Sequence, residues 1–229
     1  MLPTPNLDHL TADDYEHVYE PAEDTFLFLD ALEKEAEFIK NRVKPTICLE
    51  IGWVAFLIIK QSLDHRRSGS GCVSTFLAQL IGAGHAYINP YASSITYKTG
   101  MKNNVLLDPI TTDLMSGLLP RLNHNVDIIC FNPPYVVTQP GDVNSPNMLE
   151  RAWAGGIDGR EVIDRTLPLI AESLSSNGVC YLLSVTDNKP NEIRQIMLHE
   201  HGLSSEVVLS RLTGIEKPSI LKFWREPLI

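Results

Sequence analysis

Four consecutive residues, Asn132, Pro133, Pro134 and Tyr135, carry the clearest chemistry in this sequence. They follow an apolar run, Val126-Asp127-Ile128-Ile129-Cys130-Phe131, that reads as a buried strand. At the end of a strand, an Asn, two prolines and an aromatic form a stiff turn. Such a turn offers one amide side chain, carbonyl groups without competing N–H groups, and a flat ring. That set suits a planar nitrogen group such as a carboxamide or an adenine amino group. Its delocalised lone pair makes such a nitrogen a poor nucleophile, so it must be held by acceptors and aimed at an electrophile. The motif points to methyl transfer onto nitrogen.

A second constellation lies upstream. Glu50-Ile51-Gly52 ends a strand candidate, and Ser68-Gly69-Ser70-Gly71 opens the next helix. Glycines at a strand–helix turn let a nucleoside approach the backbone, and a free helix N-terminus receives an anionic group such as a carboxylate. Glu50 suits the ammonium of the same amino-acid moiety. Asp113, in Thr111-Thr112-Asp113-Leu114, follows a third strand candidate. It is read either as an acceptor for an adenine amino group or as a helix cap. Tyr19-Glu20-Pro21-Ala22-Glu23-Asp24-Thr25 is either an acid-rich helix start or a lid over a cofactor. Trp153-Ala154-Gly155-Gly156 with Asp158-Gly159-Arg160 is either the edge of a substrate mouth or a connecting loop.

The elements that must position these groups alternate. Strands are expected over 46–51, 85–88, 105–110, 126–131 and 178–185, with 207–209 and 220–224 as a final antiparallel pair. Helices are expected from Pro21 through Phe38, and over 73–80, 91–102, 161–174 and 192–199. That alternation predicts a mostly parallel α/β sheet with helices on both faces, whose ligands sit at the carboxyl ends of the strands. Residues 1–18 read as a flexible arm and 19–229 as one domain.

The composition is consistent with this. With 229 residues, 44% of them hydrophobic, the chain can bury a sizeable core. A net charge of −9 disfavours a duplex nucleic acid as partner, since duplex affinity comes largely from Lys and Arg contacts to phosphate. Cys48, Cys72, Cys130 and Cys180 have no metal or redox spacing and read as buried free thiols, which implies a reducing compartment. The seven histidines show no ligand spacing, so no metal site is expected. With no signal peptide and no run long enough to span a bilayer, the expectation is a cytoplasmic protein, with the nucleus as a second compartment.

Taken in order, YEPAEDT (19–25), CLEIG (48–52), SGSG (68–71), FNPPYVV (131–137) and AWAGGIDGREVIDR (152–165) resemble the eukaryotic and archaeal branch of the HemK-like protein-glutamine N5-methyltransferases. The resemblance covers roughly 18–224. Asn-Pro-Pro-Tyr alone is shared with adenine-N6 and guanine-N2 methyltransferases; the first and last segments narrow it. The resemblance implies a class I, Rossmann-like methyltransferase fold with a seven-stranded sheet, and S-adenosylmethionine as cofactor. It implies the Gln of a Gly-Gly-Gln motif in the class I translation termination factor as substrate, and a heterodimer with a small zinc-binding activator subunit. By resemblance, Thr25, Glu50, Gly52, Gly69, Gly71, Asp113, Leu114 and Asn132 contact the cofactor. Asn132, Pro133, Pro134 and Tyr135 hold the substrate amide.

The chain departs from the family pattern twice. The segment 53–67, apolar and then basic, interrupts the glycine loop, and Tyr87 stands where the family has a ribose-binding acid. Both changes predict weakened cofactor binding. They leave open a catalytically impaired splice isoform that only binds the activator subunit, beside adenine-N6 and protein-lysine methylation as alternative activities.

Overall fold

A computed structural model describes residues 2–15, 18–52, 69–82, 86–89, 94–110, 112, 114–144, 153–214 and 216–226. These residues build a seven-stranded sheet. Its strands are β1 (Ile47–Ile51), β2 (Ala86–Asn89), β3 (Asp108–Pro109), β4 (Val126–Phe131), β5 (Leu174–Ser184), β6 (Leu203–Ser210) and β7 (Ser219–Arg225). The spatial order is β3-β2-β1-β4-β5-β7-β6. β1 to β5 run parallel, and β7 is antiparallel to both β5 and β6. This is the mostly parallel, doubly wound architecture expected from the alternation.

Helices cover both faces, and each strand divides its side chains between them. In β4, Ile128 and Cys130 join one apolar cluster while Ile129 and Phe131 join the other. In β5, Val179 and Tyr181 alternate in the same way with Cys180 and Leu182. Period-two alternation with both sets apolar is the signature of a sheet buried on two sides. The first cluster packs under α2 (Glu23–Lys34) and α4 (Cys72–Ile81), and the second under α7 (Glu161–Ser173) and α8 (Pro190–His201). The shorter helices are α1 (Ala12–Tyr15), α3 (Ala36–Phe38), α5 (Ser94–Lys102) and α6 (Leu119–Leu122). Fully buried Phe28, Phe131 and Phe223 each contribute about 1.5–3 kcal/mol of apolar burial.

Several boundaries differ from the sequence expectation. The helix expected to run through Phe38 stops at Lys34, and the chain passes through α3 into a π-helical turn, Ile39–Val43, that Lys44 closes with a left-handed backbone. β3 shrinks to two residues, because Pro109 has no N–H to extend a ladder at the sheet edge. β5 begins four residues early, at Leu174, and its pairing with β4 is irregular between Val126 and Ile128. The N-terminal arm, expected to be loose, is tied down. The Leu2 amide donates to Glu33 (2.7 Å), Asn6 pairs with Asn103, and His9 Nε2 meets the Thr99 hydroxyl (3.1 Å).

Buried Lys222 projects from β7 toward the α2 face. It pairs with Glu35 (2.7 Å) and Glu206 (2.5 Å) and lies over the Phe38 ring. All four cysteines are buried, and none is joined in a disulfide. Burial pushes the Cys72 thiol up to about 12, which keeps it protonated and unreactive at neutral pH.

Candidate functional site

β1 and β4 are adjacent and parallel, with Ile51 opposite Phe131. Gly52 and Asn132 therefore leave the sheet side by side at the carboxyl ends of their strands. From β1 the chain goes on to β2 and β3 on one side, and returns to β4 on the other. Such a reversal opens the crevice where doubly wound sheets bind ligands. The glycine-loop residues and the Asn-Pro-Pro-Tyr turn flank it.

On the β1 side, Glu50 faces the α4 layer. Its Oε2 accepts from the Ser74 backbone N–H (2.9 Å) and from the Ser74 hydroxyl in the first turn of α4. Burial raises the Glu50 carboxyl above its ordinary range, partly offset by these bonds. A Cβ on Gly69 would lie 3.8 Å from Glu50 Oε1, so the second half of the glycine loop returns to the strand end. Thr96 and Thr99 of α5 hold that half, donating to the carbonyls of Gly69 (2.9 Å) and Ser70 (2.7 Å). Gly71 precedes α4 with φ +78°, and a Cβ there would meet the Thr96 backbone at 3.1 Å, so only glycine fits.

On the β4 side, the Asn132 Nδ2 group donates to Asp24 Oδ2 (3.0 Å). Asp24 Oδ1 accepts from the Tyr19 hydroxyl (3.0 Å) and the Thr25 amide (2.7 Å). The YEPAEDT segment thus docks directly on the Asn-Pro-Pro-Tyr turn. Because Asp24 takes the NH2 end of the Asn132 amide, the carbonyl end points the other way. That Oδ1 atom is buried and has no hydrogen-bond partner among the described residues. Burial first, and the Asp24 charge second, push both the Tyr19 and Tyr135 hydroxyls up, so both stay neutral donors.

The glycine-rich loop beyond the turn closes the other flank. Val136 pairs with Ala154 through Val136 N–H to Trp153 O (3.0 Å) and Gly155 N–H to Val136 O (2.8 Å). The Thr138 amide donates to Gly156 O (3.0 Å). Tyr19, Val137, Trp153 and Ile157 remain exposed.

The structure thus brings together Thr25, Glu50, Gly52, Gly69, Gly71, Asn132, Pro133, Pro134 and Tyr135 around one end of the sheet. Leu114 is buried in the α7 face with φ +49°, a conformation that a leucine adopts only under constraint. Asp113 lies outside the described residues, as do the segment 53–67 and the Tyr87 side chain. Sequence reasoning read the segment holding Asp24 as an acid-rich helix start or a lid over a cofactor, and did not single out Asp24 as a partner of Asn132. The signal that could have singled it out is its place beside Thr25 in a segment with two further acids, where a solvent-facing role did not require the particular order Glu-Asp-Thr.

The residues fit S-adenosylmethionine. A glycine turn that a Cβ would fill, a held carboxylate and the N-terminus of α4 suit an amino-acid moiety carrying both ammonium and carboxylate. The orphaned Asn132 oxygen stands ready for an N–H donor beside it.

Comparison with known proteins agrees with this geometry. No protein-family model matches the chain. The human protein named methyltransferase HEMK2 is 46% identical over 224 residues, spanning 96% of this chain and 95% of the relative. The catalytic subunit mtq2 of the eRF1 methyltransferase of Schizosaccharomyces pombe is 34% identical, over 98% and 96% of the two chains. Among solved structures, the E. cuniculi Mtq2–Trm112 complex, responsible for methylation of the eRF1 termination factor, matches with a TM-score of 0.55 at 25% identity. The match covers 91% of this chain and 98% of that one. A T. thermophilus 16S rRNA N2 G1207 methyltransferase shares the fold, with a TM-score of 0.58 at 16% identity over 91% of this chain and 44% of that one.

Proposed function

The chain belongs to the HEMK2 methyltransferase family, and from that premise we propose that it methylates a glutamine side-chain amide, using S-adenosylmethionine. The acceptor is the Gly-Gly-Gln glutamine of the class I translation termination factor, and a small zinc-binding activator subunit completes the enzyme. The eRF1 methyltransferase relatives and the Mtq2–Trm112 complex support the substrate and the partner. The single observation that carries the chemistry is the buried, unpartnered Asn132 Oδ1.

A buried carbonyl without a donor costs about 1–3 kcal/mol, which a substrate N–H removes on binding. Asn132 Oδ1 accepts one N–H of the glutamine NH2 group. The prolines that follow present carbonyls without N–H groups, so the turn offers acceptors and no competing donor. Holding both hydrogens in plane leaves the nitrogen lone pair facing the crevice. Tyr135 packs its ring as a wall and keeps water out. S-adenosylmethionine would supply an electrophilic sulfonium methyl, and Glu50, Gly52, Gly69, Gly71 and Thr25 would hold it. The gain is approximation and preorganised polarity rather than acid–base work. Asp24 is not needed as a base: Tyr19, Thr25 and Asn132 already occupy its oxygens, and attack of the amide nitrogen on the methyl group gives an N-protonated methylamide, acidic enough to release its extra proton to water as the product leaves.

The test is transfer of a radiolabelled methyl group by the chain co-expressed with the activator subunit. Acceptors are a termination factor with Gly-Gly-Gln, the same factor with Gly-Gly-Asn, a lysine peptide and an adenine-containing DNA. Label on the first alone supports the proposal. Label on lysine or adenine with none on glutamine overturns the substrate assignment. Cofactor binding without transfer by the folded complex identifies an impaired isoform.

A further inference from the structure

Outside the residues discussed so far, one polar side chain in the core grips the substrate turn. Asn188, in the 3-10 turn Thr186–Asn188 that follows β5, is 0% exposed. Its Oδ1 accepts from the Val185 amide (2.8 Å). Its Nδ2 donates to the Tyr135 carbonyl (2.8 Å) and the Asp158 carbonyl (3.0 Å), and lies 3.4 Å from the Gly159 carbonyl. Gly159 has φ +65°, and a Cβ on it would sit 1.9 Å from the Tyr135 oxygen and 2.4 Å from Asn188 Nδ2. The end of β5, the Trp153–Arg160 loop and the Asn-Pro-Pro-Tyr turn therefore interlock around one carbonyl oxygen.

We infer that Asn188 is a positioning residue for methyl transfer: it fixes the Tyr135 peptide unit, and through it the Tyr135 ring, against the substrate amide. The inference rests on the amide-methylation reading above. Tyr135 is held from two ends. Its ring is part-buried beside the Asp24 cluster, and its carbonyl is turned away from the crevice and satisfied by Asn188. Pro133 and Pro134 each lock one backbone angle, so the Tyr135 peptide is the first unit after the turn that hydrogen bonds rather than rings must fix, from Asn188 to its carbonyl and from its Val136 N–H to Trp153. Without a donor at position 188 that peptide unit is held from one side only, by the Val136 N–H bond to the Trp153 carbonyl (3.0 Å), and it can tilt about that bond and carry the ring with it. A misplacement of about 1 Å at a reacting centre costs on the order of 10²-fold in rate.

Asn188 also caps its own turn through Val185, so a purely structural role must be separated from a positioning one. N188D does this. It keeps an oxygen for the Val185 amide and loses the donor to Tyr135. N188A loses both and covers the case in which N188D fails to fold. Wild type and both variants, each as the complex with the activator subunit, are compared in kcat, KM for the protein substrate, cofactor affinity and melting temperature.

The expected result is a loss of about 30- to 100-fold in kcat for both variants, with cofactor affinity within about three-fold of wild type. The N188D loss shrinks as pH falls from 8 to 6, because a buried carboxyl regains a proton that it can donate to the Tyr135 carbonyl. N188D with wild-type kcat, or losses that follow melting or cofactor affinity, would overturn the inference. If wild type methylates lysine or adenine instead, the amide reading has failed, and the same comparison on that acceptor decides the role of Asn188. No transfer by wild type to any acceptor overturns both.

Discussion

Asp24→Asn is the most direct perturbation of the site. Among the described residues the native carboxylate receives the Tyr19 hydroxyl (3.0 Å), the Thr25 amide (2.7 Å) and, at 3.4 Å, the Thr25 hydroxyl on one oxygen, and the Asn132 amide (3.0 Å) on the other. An amide at position 24 has one acceptor end. If that end stays with Tyr19 and Thr25, its NH2 faces the NH2 of Asn132, and two donors cannot share a contact. Asn132 then flips, giving its oxygen to position 24 and presenting NH2 to the substrate nitrogen. If the new amide turns the other way, it strands two donors at about 1–3 kcal/mol each. The first arrangement is favoured, because the second leaves the Tyr19 and Thr25 donors unpaired, and it is the first that removes the acceptor the substrate needs. By analogy with removal of one preorganised polar group from an active site, the cost is about 3–4 kcal/mol, or about 10²–10³ in kcat. The assay is single-turnover methyl transfer at saturating cofactor, with cofactor binding measured separately by calorimetry. Binding should change only a few-fold. The double variant D24N/N132D should recover much of the rate, because a carboxylate at position 132 can accept from position 24 with one oxygen and from the substrate with the other. Turnover by D24N within about three-fold of wild type, or no recovery in the double variant, would refute the orientation argument.

Three further outcomes are expected. Glu50→Gln should weaken cofactor binding about 10- to 100-fold at neutral pH, as expected from loss of a charged hydrogen-bond partner. Wild-type affinity should fall as pH drops through the raised Glu50 ionisation, while E50Q stays flat in calorimetry across that range. Since the folded-state value lies above the unfolded one, the unliganded protein loses stability as pH rises through it, so E50Q should melt higher than wild type at pH 7. Asp127 lies below the ordinary carboxylate range: burial pushes it up, but bonds from Ser175, Thr46 and Ile47 outweigh that. Its contribution is present above the unfolded value and lost as pH falls through the folded one. D127N should therefore cost about 1–3 kcal/mol in denaturant unfolding at pH 7, and progressively less below pH 4. Gly159→Ala should destabilise by about 2–4 kcal/mol, combining left-handed strain with overpacking against Tyr135, visible as a lower melting temperature.

The sequence was most readable where a local pattern fixes a global role. Apolar runs such as Val126–Phe131 could only be strands buried on both sides, and the turn that follows can only project from the sheet end. The glycine loop was legible in chemistry but not in closure; Gly69 lying beside Glu50 is a tertiary fact supplied by Thr96 and Thr99 from α5. The extent of β5 was misjudged because Ser175, Ser176 and Asn177 look like loop residues. They are held as strand by pairing around an irregularity that periodicity does not reveal. Asp24 and Asn188 were illegible for one reason. Polar residues near helix starts and turns are usually satisfied locally, and nothing in their neighbours says that their partners lie 108 and 53 positions away.

The strand order has a consequence for assembly. β7 follows β6 in the chain yet lies between β6 and β5, so β6 cannot reach the sheet until β7 exists to carry it. The two form a local hairpin whose tip is tied by Thr213 and Glu216, and hairpins of this kind close on a timescale of about 1–10 μs. Only when that hairpin docks on β5 does Glu216 come near enough to bear on the Tyr135 hydroxyl. In a growing chain the substrate turn and the glycine loop thus emerge before the hairpin, and Glu216 joins the surroundings of Tyr135 only as the last edge of the sheet is completed.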